Sequence, residues 1–428
     1  MRLSLLLLVF LLAPLIQSQP RQIYRAEYNA TTNHSDEGVT IAADGHGGCF
    51  VAGRAYSSST GTYDAHLLAI SSNGVPRWKF EDRVAGETES PSQVAIGTDR
   101  SVFMLTFVNR QGAATARIYR FTHNGSLIYS TELSRGSSTV NLEKAALHID
   151  SHNNAYIGCG KNQQMYVAKL NSAGALQWQQ SVGAAGDFGE TTGITTDPAG
   201  NVYATGISSP LQGGFLTVKF DQNGNLQWSH LYTGPIGNTL GPSFIERQSN
   251  GDLIVCCTPE DTFGVPQYTV FKLNVTGQLL WQQPYNPQPT FDCEATAFTL
   301  DKDDNVIVTG FRLGGSADTV TVKYDKDGSR LWEANYTPST GVSQAVGVDR
   351  FGRITIAGFL NSGSSTGLIL FYDKNGNQLG VRTQARDSYD QISVDSKSNV
   401  FVVGSVFNQT TNSDFVFSKF AWLSPSFR

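Results

Sequence analysis

Charge is scarce in this chain. Only 16% of its 428 residues are Asp, Glu, Lys or Arg, where about 25% is usual, and the formal net charge is -5 without any Lys/Arg cluster. That excludes the electrostatic footprint of a nucleic-acid or anionic-membrane binder. Helical periodicity is missing throughout. Beyond the N-terminus no apolar run approaches the roughly 20 residues of a membrane span, so none is expected. Catalytic motifs are missing too: there is no G-x-S-x-G, no H-E-x-x-H and no P-loop. His34, His46, His66, His123, His148, His152 and His230 are scattered without metal-ligand spacing. The sequence therefore assigns no catalytic residue, no metal site and no cofactor.

Glycine is what the chain has in quantity, 43 residues beside 40% apolar content, which suits many short strands joined by tight turns. The opening MRLSLLLLVFLLAPLIQSQP sets one cation before an apolar stretch from Leu3 to Ile16 and a small residue at Ser18. This reads as a secretory signal peptide over residues 1–18, so the mature chain, 19–428, is expected to be soluble and secreted. Six N-x-[ST] sequons, at Asn29, Asn33, Asn124, Asn274, Asn335 and Asn408, suit that route. Chance alone supplies several, and Asn124 and Asn335, at or near turns, are the most accessible.

Self-similarity decides the fold. KFDQNGNLQWSH at 219–230 and KYDKDGSRLWEA at 323–334 share one grammar, and their turn glycine recurs at Gly74, Gly125, Gly174, Gly224, Gly277, Gly328 and Gly376 with separations of 51, 49, 50, 53, 51 and 48. Four residues after each stands Trp78, Tyr129, Trp178, Trp228, Trp281 or Trp332, failing only at Gly380. Independently, Asp44, Asp99, Asp150, Asp197, Asp301, Asp349 and Asp395 precede short apolar runs, and in five units a glycine follows nine residues later, at Gly53, Gly206, Gly310, Gly358 and Gly404. A unit near Gln248 lacks the Asp but keeps the frame. Each unit reads as four strands, as in ETTGITTD, VYATG, FLTVKF and LQWSHLY, so eight units of about 50 residues predict an all-β, eight-bladed propeller. Seven blades is the alternative if the second or fifth unit is irregular.

The ends fit this frame. Tyr24 and Tyr28 in QIYRAEYN repeat the spacing of Trp228 and Tyr232, so strand 21–29 reads as an orphan fourth strand. The eighth unit, DQISVD, VFVVG and DFVFSKF, stops without one. Pairing the two makes a single propeller domain over 19–428, with blades from 37 to 420, and removes an open edge.

DPAGNVYATG…FLTVKFDQNGNLQW and DKDDNVIVTG…DTVTVKYDKDGSRLW resemble the bacterial-type β-propeller repeats (SBBP) over residues 37–420. The resemblance implies an extracellular or cell-surface propeller and carries over no functional residue, because such propellers share no catalytic set.

The repeated residues read first as structure. The aromatics Tyr24, Trp78, Tyr129, Trp178, Trp228, Trp281 and Trp332 are expected to cover seams between blades, with a carbohydrate platform as the alternative. Asp residues at first turns cap those turns. Lys169, Lys219, Lys272, Lys323 and Lys419, with Arg120 in the same register, are expected to bury their stems or pair with a carboxylate, against the alternative of a charge ring for an anion. DKDDN at Asp301 and DKDG at Asp325 suggest calcium but lack the glycine and glutamate of a twelve-residue loop, so turn chemistry is preferred.

Cys49, Cys159, Cys256, Cys257 and Cys293 are odd in number. Cys49 and Cys159 sit too far apart around the ring to meet, whereas a disulfide from Cys257 or Cys256 to Cys293 joins one end of adjacent blades. The CC pair also resembles quinoprotein dehydrogenases, eight-bladed propellers with a Trp-containing repeat, some of which set a vicinal disulfide against pyrroloquinoline quinone. No Asp base or calcium set can be assigned here. The reading is a secreted, monomeric binding module for an extracellular protein or glycan, more a non-enzyme than an enzyme. Recognition is placed on the connections Ser57–Asp64, Ser208–Gly214 and Pro259–Gln267. The alternatives are a quinoprotein-like oxidoreductase and a glycan-binding or glycan-acting propeller with carboxylates at the channel mouth.

Overall fold

Turn chemistry sets the repeat. The computed structural model of the protein describes residues 19–422 apart from 31–33, 111–112, 135–144, 184–187, 210–212, 236–238, 286–290, 315–316, 339, 362–364 and 409–411. The signal-peptide reading, Asn33 and part of the Ser208–Gly214 connection therefore lie outside the described residues. Asp197 shows the turn: its Oδ1 accepts from the Ala199 and Asn201 backbone N–H groups at 3.0 and 2.9 Å, and its Oδ2 from Asn201 Nδ2 and the Tyr203 hydroxyl. Asp44, Asp150, Asp301, Asp349 and Asp395 cap their turns the same way. Blade 2 departs from the expected register. Its turn begins at Gly97, whose N–H reaches the Ser101 carbonyl at 2.8 Å. Asp99, two residues further on, accepts from the Ser101 N–H and hydroxyl and pairs with Arg120.

Thirty-two strands, β1 to β32 in chain order, form eight four-stranded antiparallel sheets, and no helix occurs among the described residues. The second and fifth units are complete sheets, so eight blades stand. From blade 1 to blade 8 the innermost strands are β2 (Asp36–Ala43), β6 (Glu87–Ile96), β10 (Ala146–Ile149), β14 (Phe188–Thr196), β18 (Thr239–Arg247), β22 (Asp292–Leu300), β26 (Gly341–Val348) and β30 (Asp387–Val394). Blade 8 closes as the ends predicted. Its inner three strands are β30, β31 (Val400–Asn408) and β32 (Asn412–Ala421), and its outer strand is β1 (Arg21–Tyr28), paired from Arg21↔Ala421 to Tyr28↔Phe415. Arg25 on β1 donates to both oxygens of the buried Asp387 at 3.0 and 2.6 Å. The closure is ionic as well as hydrogen-bonded.

No blade covers its own faces, and the eight core clusters sit in the seams. The outer-strand aromatics latch them. A methyl on Gly277, whose φ is +84°, would stand 2.7 Å from the Trp228 ring of the preceding blade, and only a bare turn lets the ring lie there. The same stack joins Tyr24 to Gly74, Trp78 to Gly125, Tyr129 to Gly174, Trp178 to Gly224, Trp281 to Gly328 and Trp332 to Gly376. Trp178, Trp228 and Trp332 also donate their indole N–H to Gln222, Val275 and Lys374 carbonyls, which Lys169, Lys219 and Lys323 reach as well. Position 380 lacks the aromatic because the next blade has no outer hairpin there. Instead the Gln19 side chain, just ahead of β1, covers Gly380.

The second recurring glycine has a different cause. In blades 1, 2, 4, 6, 7 and 8 one extra residue bulges from the innermost strand, and opposite it in five of them lies Gly53, Gly206, Gly310, Gly358 or Gly404. A Cβ at any of these would overlap the facing backbone carbonyl, that of Glu294 for Gly310. Gly310→Ala is therefore expected to cost about 1–3 kcal/mol, read as a lower urea midpoint. Gly200→Ala, at an open turn, should cost only the positive-φ strain of about 1 kcal/mol.

Candidate functional site

Each bulge re-aims one side chain, a use to which bulges beside functional sites are suited. The eight residues at this level are Val39, Ser92, Ala145, Thr192, Ser243, Thr296, Gln344 and Asp390, one per blade. Seven of them line a cavity of about 620 Å³ on the propeller axis, to which the innermost strands of blades 1, 2 and 4 to 8 and Ala145 at the start of blade 3 all contribute. The cavity opens at the end bearing the connections between second and third strands and between blades. The Asp-capped turns lie at the other end. Its volume is within the range of about 300–1,000 Å³ typical of small-ligand sites.

Asp390 is the one ionisable residue of the eight. It is open to the channel water yet enclosed by protein on nearly all sides, and lost solvation, with Glu37 adding repulsion, pushes its carboxyl up to about 7. Around it the mouth carries Glu37 on β2, Glu294 on β22 and Arg54 on the second strand of blade 1. Glu37 is engaged, since Arg54 Nε and Nη2 donate to its Oε2 at 2.9 and 2.7 Å. Phe244 and Phe407 supply apolar wall, and Gln344 and Ser388 supply neutral polar groups.

Deeper in the channel, side chains close the inner edges rather than face a ligand. Gln93 Oε1 accepts from the Leu147 N–H at 2.7 Å, Thr40 Oγ1 from Val94 N–H at 3.2 Å and Ser393 Oγ from Ala43 N–H at 2.9 Å. Glu246, pushed up to about 7 by burial, accepts from the Leu300 N–H at 3.2 Å. His148, lowered by burial, lies 2.9 Å from Thr196 Oγ1. Gln93, Thr40, Ser393 and Glu246 thereby hold backbone N–H donors on the inner edges that no strand pairs.

The residues singled out in the sequence lie elsewhere. All seven repeat aromatics are in seams. The Lys register is spent the same way: Lys323 pairs with Asp301 at 2.7 Å, Lys272 with Asp252 at 3.0 Å, and Lys419 reaches the Gly47 carbonyl at 2.7 Å. Asp301 and Asp325 cap turns, and among the described residues no group of three or more His, Cys, Asp or Glu could hold a metal ion. Asn29, Asn124 and Asn335 are exposed. Asn274 spends its side chain in a turn, and Asn408 donates to Asp414. Two of the connections on which recognition was placed are closed by backbone bonds. Ser57–Asp64 closes through a Gly61 N–H to Ser57 carbonyl bond of 2.8 Å, and Pro259–Gln267 through a Glu260–Pro266 bridge with Phe263 83% exposed at its tip.

The geometry divides the two expected disulfide pairings, and no disulfide joins the described cysteines. All five cysteines are buried thiols. Cys256 and Cys257 alternate across β19 (Leu253–Pro259), so Cys257 packs with Tyr203 and Phe271 toward blade 4, away from Cys293, while Cys256 packs with Tyr268 and Cys293 toward blade 6. Burial pushes both vicinal thiols well above the ordinary range, and neither lines the channel. The described residues thus do not fit a quinone held against a vicinal disulfide with calcium.

Blade 2 holds an ionic cluster that sequence patterning missed. Arg117 donates to Asp82, Glu87, Glu89 and Glu132, and Arg110 to Glu87 and Glu132. Four carboxylates share two guanidiniums, and burial with Asp82 close by pushes Glu89 up to about 9.

Fold and channel together define a closed eight-bladed β-propeller with an axial polar cavity. A family model described as outer membrane protein assembly factor BamB matches residues 163–411, more than half of the chain, and the protein belongs to that family. The resemblance read from the repeats therefore holds for a propeller-repeat family, with BamB rather than SBBP as the matching model. No curated protein matches the sequence. Among solved structures, a protein from Lactobacillus plantarum is 11% identical with a TM-score of 0.50, covering 86% of this chain and 98% of that one. The WD40 domain of Toxoplasma gondii coronin is 12% identical with a TM-score of 0.44 over 78% and 81%. A gluconolactonase from Xanthomonas campestris is 14% identical with a TM-score of 0.36 over 65% and 85%. Likeness at these identities speaks to fold alone.

Proposed function

We propose that the protein is a secreted binding module, without catalysis of its own, that recognises an extracellular partner or glycan at the channel mouth. The observation that carries this reading is the division of labour among side chains. Repeat aromatics, lysines and aspartates are consumed in seams and turns, whereas at the bulge level seven of the eight blades turn a residue that varies among the blades toward a cavity of about 620 Å³. Membership of a family described by an assembly factor is in keeping with a scaffold that binds. The test is binding of the full chain to panels of extracellular glycans and proteins. Gln344→Trp, which plugs the mouth and leaves every seam intact, should weaken capture at least tenfold, about 1.4 kcal/mol. Short turns grafted in place of 58–61 and 261–264 should not. The reverse pattern would sink the proposal.

One observation favours a second reading, action on glycans. Asp390, pushed up to about 7, shares the cavity with Glu37, and glycoside hydrolysis uses one protonated and one ionised carboxyl. Release of reducing ends from a glycan panel, abolished in both Asp390→Asn and Glu37→Gln, would establish it. Binding without turnover would leave the first reading standing.

A further inference from the structure

Asp390 carries more than a location. Its side chain stands exposed to the channel, and among the described residues it makes no hydrogen bond or ion pair, so its carboxyl is open to a ligand. The fold holds it there. Its bulge lies between Tyr389 and Gln391, and the facing Gly404 leaves room for the Ser388 carbonyl, where any Cβ would overlap. Among the described residues the charges lining the mouth are Glu37, Arg54, Glu294 and Asp390, three acids to one base, with Arg54 paired to Glu37. Gln344 flanks Asp390 on the bulge level, and Ser388 lies two residues before it. An ammonium has three donors and no acceptor, and one carboxylate with two neutral oxygens matches it.

We propose that the mouth binds a small polyhydroxylated molecule bearing one primary ammonium group, the ammonium seated on Asp390 and flanked by Gln344 and Ser388, with hydroxyls meeting the remaining polar wall. This rests on the reading of the mouth as the recognition site, and it adds the ligand's charge and chemical class. Metal binding is not what this set suits, since no described group of three or more ligating side chains gathers.

The experiment is titration calorimetry on the full chain at pH 8 with three probes: glucamine, an open-chain polyol carrying a primary ammonium; sorbitol, its uncharged counterpart; and n-butylamine, an ammonium without hydroxyls. Glucamine is expected to bind, and both controls to bind at least tenfold more weakly. Asp390→Asn should weaken glucamine about tenfold or more, the loss expected of a hydrogen bond to a charged group, and Gln344→Leu by less. An unchanged urea midpoint in each variant shows that it folds. Equal glucamine affinity in Asp390→Asn and wild type overturns the proposal. So does sorbitol binding as well as glucamine, which removes the ammonium, or n-butylamine doing so, which removes the polyol. If none of the three binds, the proposal fails, while plugged-mouth capture on the panels still judges the binding reading separately.

Discussion

Deleting residues 21–28 is expected to abolish the cooperative unfolding transition and leave aggregating protein. Loss of β1 exposes the whole of β32 as an open edge, uncovers the Gly74 turn on which Tyr24 lies, and strands Asp387, whose guanidinium partner is Arg25. The single change Arg25→Ala isolates the last effect. Asp387 is fully buried, and removing one partner of a buried pair costs about 3–5 kcal/mol. Urea unfolding followed by fluorescence reads this as a large drop in midpoint. A change no greater than that of an exposed pair such as Lys302 and Asp303 would mean that the ring does not close through β1.

The blade 2 cluster gives the second large effect. Arg117→Ala leaves Glu87, Glu89 and Asp82 without their shared guanidinium, for an expected loss of about 3–5 kcal/mol. Glu89→Gln should behave oppositely, because a carboxyl pushed up to about 9 is already protonated at neutral pH and glutamine imitates that form. The sign follows from proton counts. An unfolded glutamate releases its proton near about 4.3, the folded one near 9, so between these values the folded state binds more protons and stability falls as pH rises. The midpoint advantage of Glu89→Gln over wild type should therefore grow from pH 5 to pH 9. A pH-independent difference would show that Glu89 is ionised in the fold.

Much of the architecture was legible because propeller repeats repeat their chemistry. Gly224 with Trp228 and Asp197 with Gly206 are local signals whose spacing survives in nearly every unit, and the orphan strand at Tyr24 showed how the ring shuts. The function of Gly206 was not legible: it reads as a strand-end glycine until the facing bulge is seen. Counting back fourteen residues from Gly53, Gly206, Gly310, Gly358 and Gly404 lands on Val39, Thr192, Thr296, Gln344 and Asp390, so the channel level was encoded, but in a spacing with no meaning before the register was known. Asp390 itself carries no motif. Cys256 and Cys257 misled for a related reason, since strand alternation sends neighbours into different seams. The Arg117 cluster escaped because its members come from five strands and two blades.

Hydrogen–deuterium exchange of the full chain with and without glucamine tests the central claim most directly. Recognition at the mouth predicts added protection in β2, β26 and β30 around Val39, Gln344 and Asp390, with the Asp-capped turns unchanged. Protection confined to the turn end of the ring would contradict it.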